Sequence, residues 1–222
     1  MEVMTDQTSV LLIGENTFPF HEFDEMAPRI ENALGDNVAV TRTTDRNALR
    51  SLDDYDVLAD YLTDSTFTSA QRDGLTSFVA DGGGYLGIHC AADITSTHDG
   101  SGGIDHRDEP FPELRELLGG HFIGHPEQST FRVDIVDIDH PVTEGVEDFE
   151  VFDEPYTVDY DEDAIRVLAR MDHPDLDDYP VAWVRSVGNG NVCYVSLGHT
   201  AEAFENPQYR RLLRNAVRCV SA

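Results

Sequence analysis

The chain has 222 residues, 43 of them acidic against 15 basic, for a formal net charge of −28. That balance excludes nucleic acid and anionic membrane as partners, since both repel such a surface. The acids are spread between apolar runs and hydrophobic residues still make up 40%, so the composition is that of a folded protein with an acidic skin rather than a disordered tail.

Every basic residue is an arginine. Self-repulsion at this charge density opposes folding unless counterions screen it, which points to a halophilic protein of a salt-rich cytoplasm. Cys90, Cys193 and Cys219 show no CxxC spacing, which argues against a disulfide framework or a zinc ribbon and fits a reducing cytoplasm. The opening MEVMTDQ has neither a basic nor an apolar signal region, and no run approaches the ~18 apolar residues of a membrane span. A single domain over residues 1–222 is expected, with no linker or repeat to divide it.

Residues 9–14, SVLLIG, read as a first strand, and the loop after it places His21 at the carboxyl end of that strand. Phe23, Met26, Ile30 and Leu34 repeat at helical spacing until Gly35 stops them. Residues 38–41 and 55–62 predict two more strands, and Thr68 caps a helix with Leu75, Phe78 and Val79 on its buried face. The run 82–93, GGGYLGIHCAAD, then reads as a turn, a short buried strand and a sharp corner that opens a helix at once. A nucleophile-elbow corner needs small residues two before and two after its apex. Gly87 and Ala91 meet that need around His89, whereas Cys90 would have the bulky Ile88 before it, so the histidine is the apex. A buried strand end with a merely hydrogen-bonded histidine is the competing reading. The alternation predicts an α/β, doubly wound, mostly parallel sheet with helices on both faces, carrying its ligand above the carboxyl ends of the strands.

Residues 94–112 are polar and glycine-rich, a lid or an excursion, and His98 and His106 within them are not expected to be ligands. A short helix at 113–118 leads to HFIGHP, where the glycines and the proline argue for a loop and only one of His121 and His125 need face the crevice. From Thr130 the pattern becomes β, and residues 149–152 lead into Asp153, Glu154, Pro155 and Tyr156. A proline directly after two carboxylates ends the ladder and turns them outward, where they serve as acid, base or metal ligand, or are simply surface charge. Residues 165–171, 181–187 and 192–197 are further strands, the last two paired antiparallel through Gly188, Asn189 and Gly190 and ending at His199. These form an antiparallel C-terminal extension. Asn206 and Pro207 open a final helix with Tyr209, Leu212, Leu213, Ala216, Val217 and Val220 on its inner side.

In order, GGGYLGIHCAAD, GGHFIGHP, DHPVTEG, DEPY, YPVAWVRSVGNGNVCYVSLGH and the closing helix resemble the trehalose-utilisation (ThuA-like) domain family over nearly the whole chain. The resemblance implies a class I glutamine amidotransferase-like, flavodoxin-like fold and a part in the uptake and breakdown of disaccharides through keto-sugar intermediates. The positions that match the family's polar motifs are His89, His125, Glu154 and His199, and because some members look metal-bound these four become the expected ligands of a zinc-like divalent ion. His89, Glu154 and His199 are the expected catalytic groups. His21, together with His125, Tyr156 and Trp183 of the matched motifs, are the expected substrate contacts. Cys90 stands where the family more often has serine, and residues 94–112 follow no family pattern.

The fold kinship raises a glutaminase, which requires a cysteine at the elbow and a histidine and acid at a later strand end. Here the apex is histidine, and Thr200 and Ala201 separate His199 from Glu202, so that relay is not formed. Three histidines and a carboxylate suit either zinc-type ligation or acid-base work beside a sugar carbonyl. The other open reading is a non-catalytic sugar-binding or accessory protein that keeps the pocket without the chemistry. A small-molecule carbohydrate is the expected partner in either case, with homo-oligomerisation left open.

Overall fold

A computed structural model describes residues 7–101 and 103–222 of the chain. The reading of the opening segment therefore lies, for residues 1–6, outside the described residues, as does residue 102 of the glycine-rich stretch.

The first half alternates as its periodicity dictates: β1 (Thr8–Gly14), α1 (Phe23–Leu34), β2 (Val38–Thr43), β3 (Val57–Tyr61), α2 (Ser69–Ala80) and β4 (Gly84–Ile88). Thr68 and Gln71 form a reciprocal capping box that starts α2. The chain then makes a small hairpin, β5 (Ser96–His98) with β6 (Ile104–His106), followed by α3 (Pro112–Leu118) and β7 (Gly120–Gly124). The remaining elements are β8 (Ser129–Ile135), β9 (Phe149–Asp153), β10 (Thr157–Tyr160), β11 (Arg166–Asp172), β12 (Pro180–Val187), β13 (Gly190–Val195) and α4 (Pro207–Val220). Asn206 caps α4 by accepting from the amides of Gln208 and Tyr209, and Pro207 occupies the first turn, where a missing N–H costs nothing.

The principal sheet among the described residues has the order β2-β1-β3-β4-β13-β12-β11-β8-β9. β2, β1, β3, β4 and β13 run parallel, and every pairing from β13 outward to β9 is antiparallel. The sheet is thus mixed rather than mostly parallel: its first five strands are parallel, and the antiparallel C-terminal strands extend the same sheet. The Gly188 turn, with φ of 60°, makes this possible by returning β12 as β13 beside β4.

Alternate residues of each strand feed opposite faces, as a period of two requires. Val10 and Leu12 of β1 join Leu86 and Ile88 of β4 under α1 and α4, packing on Ile30, Leu213 and Val217. Leu11 and Ile13 with Tyr85 and Tyr194 pack instead on Leu75, Val79 and Leu117 of α2 and α3. Helices cover both faces, so the strand ends between the two layers are held by core on each side.

Three corrections to the sequence reading bear on the site. No α-helix opens at His89: residues His89–Ala92 make a single 3-10 turn. Residues 94–112 are not featureless, since β5 and β6 lie within them. HFIGHP is not all loop either, because His121 sits in β7, paired with Asp159 of β10.

Candidate functional site

Four side chains meet at the carboxyl end of the parallel strands. His89 follows β4 directly, His21 lies in the loop after β1, and His199 comes just after β13. Glu154 arrives from β9, which the sheet order separates from β13 by three strands. Sheet curvature closes that gap: Thr200 Oγ1 donates to Phe152 O at 2.9 Å and Asn206 Nδ2 to Glu150 O at 2.9 Å, so the end of β9 lies against the segment after β13.

His21, His89 and His199 offer one ring nitrogen each and Glu154 one carboxylate oxygen, all within 4.8 Å of one another. Individual separations are 2.8 Å from His21 Nε2 to His199 Nδ1, 3.1 Å from His199 Nδ1 to Glu154 Oε2, and 3.5 Å from His89 Nε2 to that same oxygen. The rings of His89 and His199 are 5.3 Å apart at their centroids. His21 and His89 are the non-glycine residues with positive φ, 56° and 45°, among the described residues. Such backbone costs of order 1 kcal/mol or more and persists where surrounding contacts enforce it. At His89 the elbow geometry explains it: a Cβ on Gly87 would meet Tyr194 at 3.0 Å and Ala91 at 3.5 Å.

His89 is fully buried, and its Nδ1 donates to Ser196 O at 2.7 Å, leaving Nε2 with its lone pair toward the centre. That Nε2 is buried and has no hydrogen-bond partner. Tyr156 packs on the imidazole with centroids 4.1 Å apart, and Tyr194 Oη donates to His89 O at 2.6 Å. Burial alone would raise the Glu154 carboxyl; contacts with His199 and His89 outweigh it and hold the group well below the ordinary glutamate range. Burial, reinforced by the neighbouring imidazoles, keeps His21 well below the usual histidine value and therefore neutral.

Not every expected residue joins this group as the sequence suggested. His125, expected among the ligands, stands one step outside, with its Nδ1 3.2 Å from Glu154 Oε1 and 2.8 Å from Pro126 O, and its side chain 41% exposed. His21, expected as a substrate contact, takes the fourth inner place. Tyr156 is 2% exposed and walls His89 rather than facing a crevice. Trp183, expected as a substrate contact, is wholly buried instead: its Nε1 donates to Leu118 O at 2.8 Å, and its ring packs on Tyr194 in the layer under α3. Pro155 does end the ladder, yet it turns both carboxylates inward, with Asp153 fully buried and Glu154 6% exposed.

Asp153 is the clearest group the sequence left undecided. Its carboxylate accepts from the amides of Gly198 at 2.6 Å and Thr200 at 2.9 Å and so clamps the turn that presents His199. Burial pushes its carboxyl above the ordinary aspartate value, against His89 and those two amide donors. Thr63 and Ser196, which hydrogen-bond His21 and His89, were not singled out at all. Their signal was positional, each lying one or two residues past the end of a parallel strand. Cys90 is fully buried, and burial raises its thiol well above the ordinary value, the opposite of an activated nucleophile.

The donor set suits a divalent cation of the zinc type. Four tetrahedral ligands at ~2.1 Å from a centre are ~3.4 Å apart, close to the three separations above. The unpartnered His89 Nε2, oriented from behind by a backbone carbonyl, has the arrangement of a metal-ligating histidine.

These features define an α/β protein with a mixed sheet and a buried three-histidine, one-carboxylate site at its parallel strand ends. The chain belongs to the ThuA family, described as trehalose utilisation, whose model matches residues 9–220. Among solved structures it is similar to a ThuA-like protein of Bacteroides uniformis, 23% identical, with 96% of this chain and 91% of that one covered and a TM-score of 0.77. It also resembles a cytoplasmic protein of Salmonella typhimurium LT2, 15% identical over 96% of this chain and 99% of that one, with a TM-score of 0.66. A β-galactosidase of Bacillus circulans matches at 14% identity and a TM-score of 0.69, covering 96% of this chain but only 31% of the galactosidase. No curated protein matches the chain.

Proposed function

We propose that the chain is a sugar-modifying enzyme of the hydrolase or isomerase type, acting on a disaccharide or keto-sugar, with a divalent cation held by His21, His89, Glu154 and His199. The observation that carries the reading is the buried Nε2 of His89, without a hydrogen-bond partner and 3.5 Å from Glu154. A lone pair aimed at a carboxylate is repelled unless a positive charge lies between them, and that charge is a proton or a metal ion. A bound cation would supply polarisation of a sugar carbonyl or hydroxyl oxygen. His125, the exposed imidazole against Glu154, is placed to exchange a proton with a substrate at the mouth of the site. Membership of the trehalose-utilisation family supports carbohydrate as the substrate class.

Two further readings belong to this proposal. The strand order β2-β1-β3-β4-β13 supports a flavodoxin-like description of the parallel half. The charge of −28 supports a halophilic protein of the cytoplasm, and no helix of the described residues is long and apolar enough to cross a membrane. Homo-oligomerisation stays compatible with both.

Burial favours one competing reading. His89 is wholly enclosed and Glu154 nearly so, which also suits an accessory or sugar-binding protein whose ion is structural. Metal analysis of the purified protein, followed by a disaccharide and ketose panel read by proton NMR in D2O, separates the two. Bound metal with sugar-dependent hydrolysis or exchange of a proton beside the carbonyl supports the enzyme. Saturable sugar binding without turnover supports the accessory protein, and no metal with no sugar response refutes both.

A further inference from the structure

The site just proposed requires each inner histidine to present an unprotonated nitrogen, and for His21 that orientation is set from outside its own loop. Thr63 lies two residues past the end of β3 and is 3% exposed. Its Oγ1 is 3.0 Å from His21 Nδ1. A hydroxyl has one proton to give. It can also accept, so the Thr63 contact alone allows either tautomer of His21.

The other side of the ring decides between them. His199 Nδ1 lies 3.1 Å from Glu154 Oε2 and 2.8 Å from His21 Nε2. Without an ion in the site, ionised Glu154 can only accept, so His199 Nδ1 carries the proton and His21 Nε2 receives a share of it. With Nε2 accepting, the one ring proton of neutral His21 sits on Nδ1 and faces Thr63 Oγ1.

We propose that Thr63 is the positioning residue of this site, its Oγ1 accepting the Nδ1–H of His21 and thereby turning the Nε2 lone pair toward His199 and Glu154. Thr63 is itself anchored. Its amide donates to Glu15 Oε1 at 3.0 Å and the amide of Asp64 to the same oxygen at 2.5 Å, while Glu15 Oε2 accepts from Arg46 at 2.8 Å. Glu15 is 9% exposed and the Arg46 side chain 17%. A pair so buried contributes little net stability against its desolvation, and here its geometry holds the loop that aims His21. The strained φ of 56° at His21 shows what the anchor has to resist.

The test rests on the metal-site reading for one of its two readouts only. Long-range proton–nitrogen correlation spectra of histidine-labelled protein at mildly alkaline pH report the tautomer of His21 without any metal. The wild type and Thr63→Ser should show the Nδ1–H pattern, and Thr63→Val, or Thr63→Ala should the valine variant not fold, should show the Nε2–H form or a mixture. Zinc affinity, read by competition with a chromophoric chelator, should weaken about 10- to 100-fold in Thr63→Val and recover in Thr63→Ser. A valine variant that keeps both the wild-type tautomer and the wild-type affinity overturns the assignment, as does a wild type already in the Nε2–H form. Should the wild type bind no zinc, the metal reading fails while the tautomer pattern still decides the role of Thr63.

Discussion

Replacing Glu154 by glutamine keeps the shape of the site and removes its one negative charge. The carboxylate oxygen lies 3.1 Å from His199 and 3.5 Å from His89 and is 6% exposed, so solvent screens it little. Unit charges ~4 Å apart attract by about 4 kcal/mol at the effective dielectric of ~20 that suits protein sites. At about 1.4 kcal/mol per decade, that predicts a loss of zinc affinity of about a thousandfold. Chelator competition at neutral pH measures it, with circular dichroism to show that the variant is folded. A dissociation constant within about threefold of wild type, under 1 kcal/mol, would refute the reasoning, because the carboxylate would then not face the ion.

The same substitution carries a pH signature. Glu154 titrates lower in the fold than in the unfolded chain, so its stabilisation is complete above the unfolded value of ~4.3 and is lost as pH falls below it toward the folded value. Melting temperatures of metal-free Glu154→Gln should therefore fall less steeply than those of wild type on acidification.

Asp153→Ala leaves the amides of Gly198 and Thr200 without their acceptor, at about 1–3 kcal/mol each; urea unfolding should show the loss, and an unchanged midpoint would mean the turn is held otherwise. Thermal midpoints should rise from low to molar KCl, since 15 arginines cannot neutralise 43 acids; a flat curve would assign the acidity another cause. Wild type should release no ammonia from glutamine and Cys90→Ser should leave sugar-directed activity intact, because the thiol is buried and its acidity suppressed; a glutaminase abolished by that change would reverse the assignment.

Local pattern was enough for the elements of the parallel half, their helices on both faces, and the elbow at His89, because periodicity, caps and the small residues Gly87 and Ala91 are properties of neighbours in sequence. The family's polar motifs marked His89, Glu154 and His199, and with them His125, which stands one step outside. Long-range geometry decided the rest. Whether His21 or His125 stands inside depended on a backbone turn with φ of 56° and on Thr63, 42 residues away. Glu154 and Asp153 face inward because sheet curvature brings β9 back to the end of β13, and no local signal tells a buried acid from a solvated one in a chain with 43 of them. Trp183 shows the converse: it lies in a strongly patterned strand, and only the packing of α3 above it makes it core. A side chain's direction is set by its own strand, but what it meets there is set by elements far along the chain, and that is the information composition and spacing do not carry.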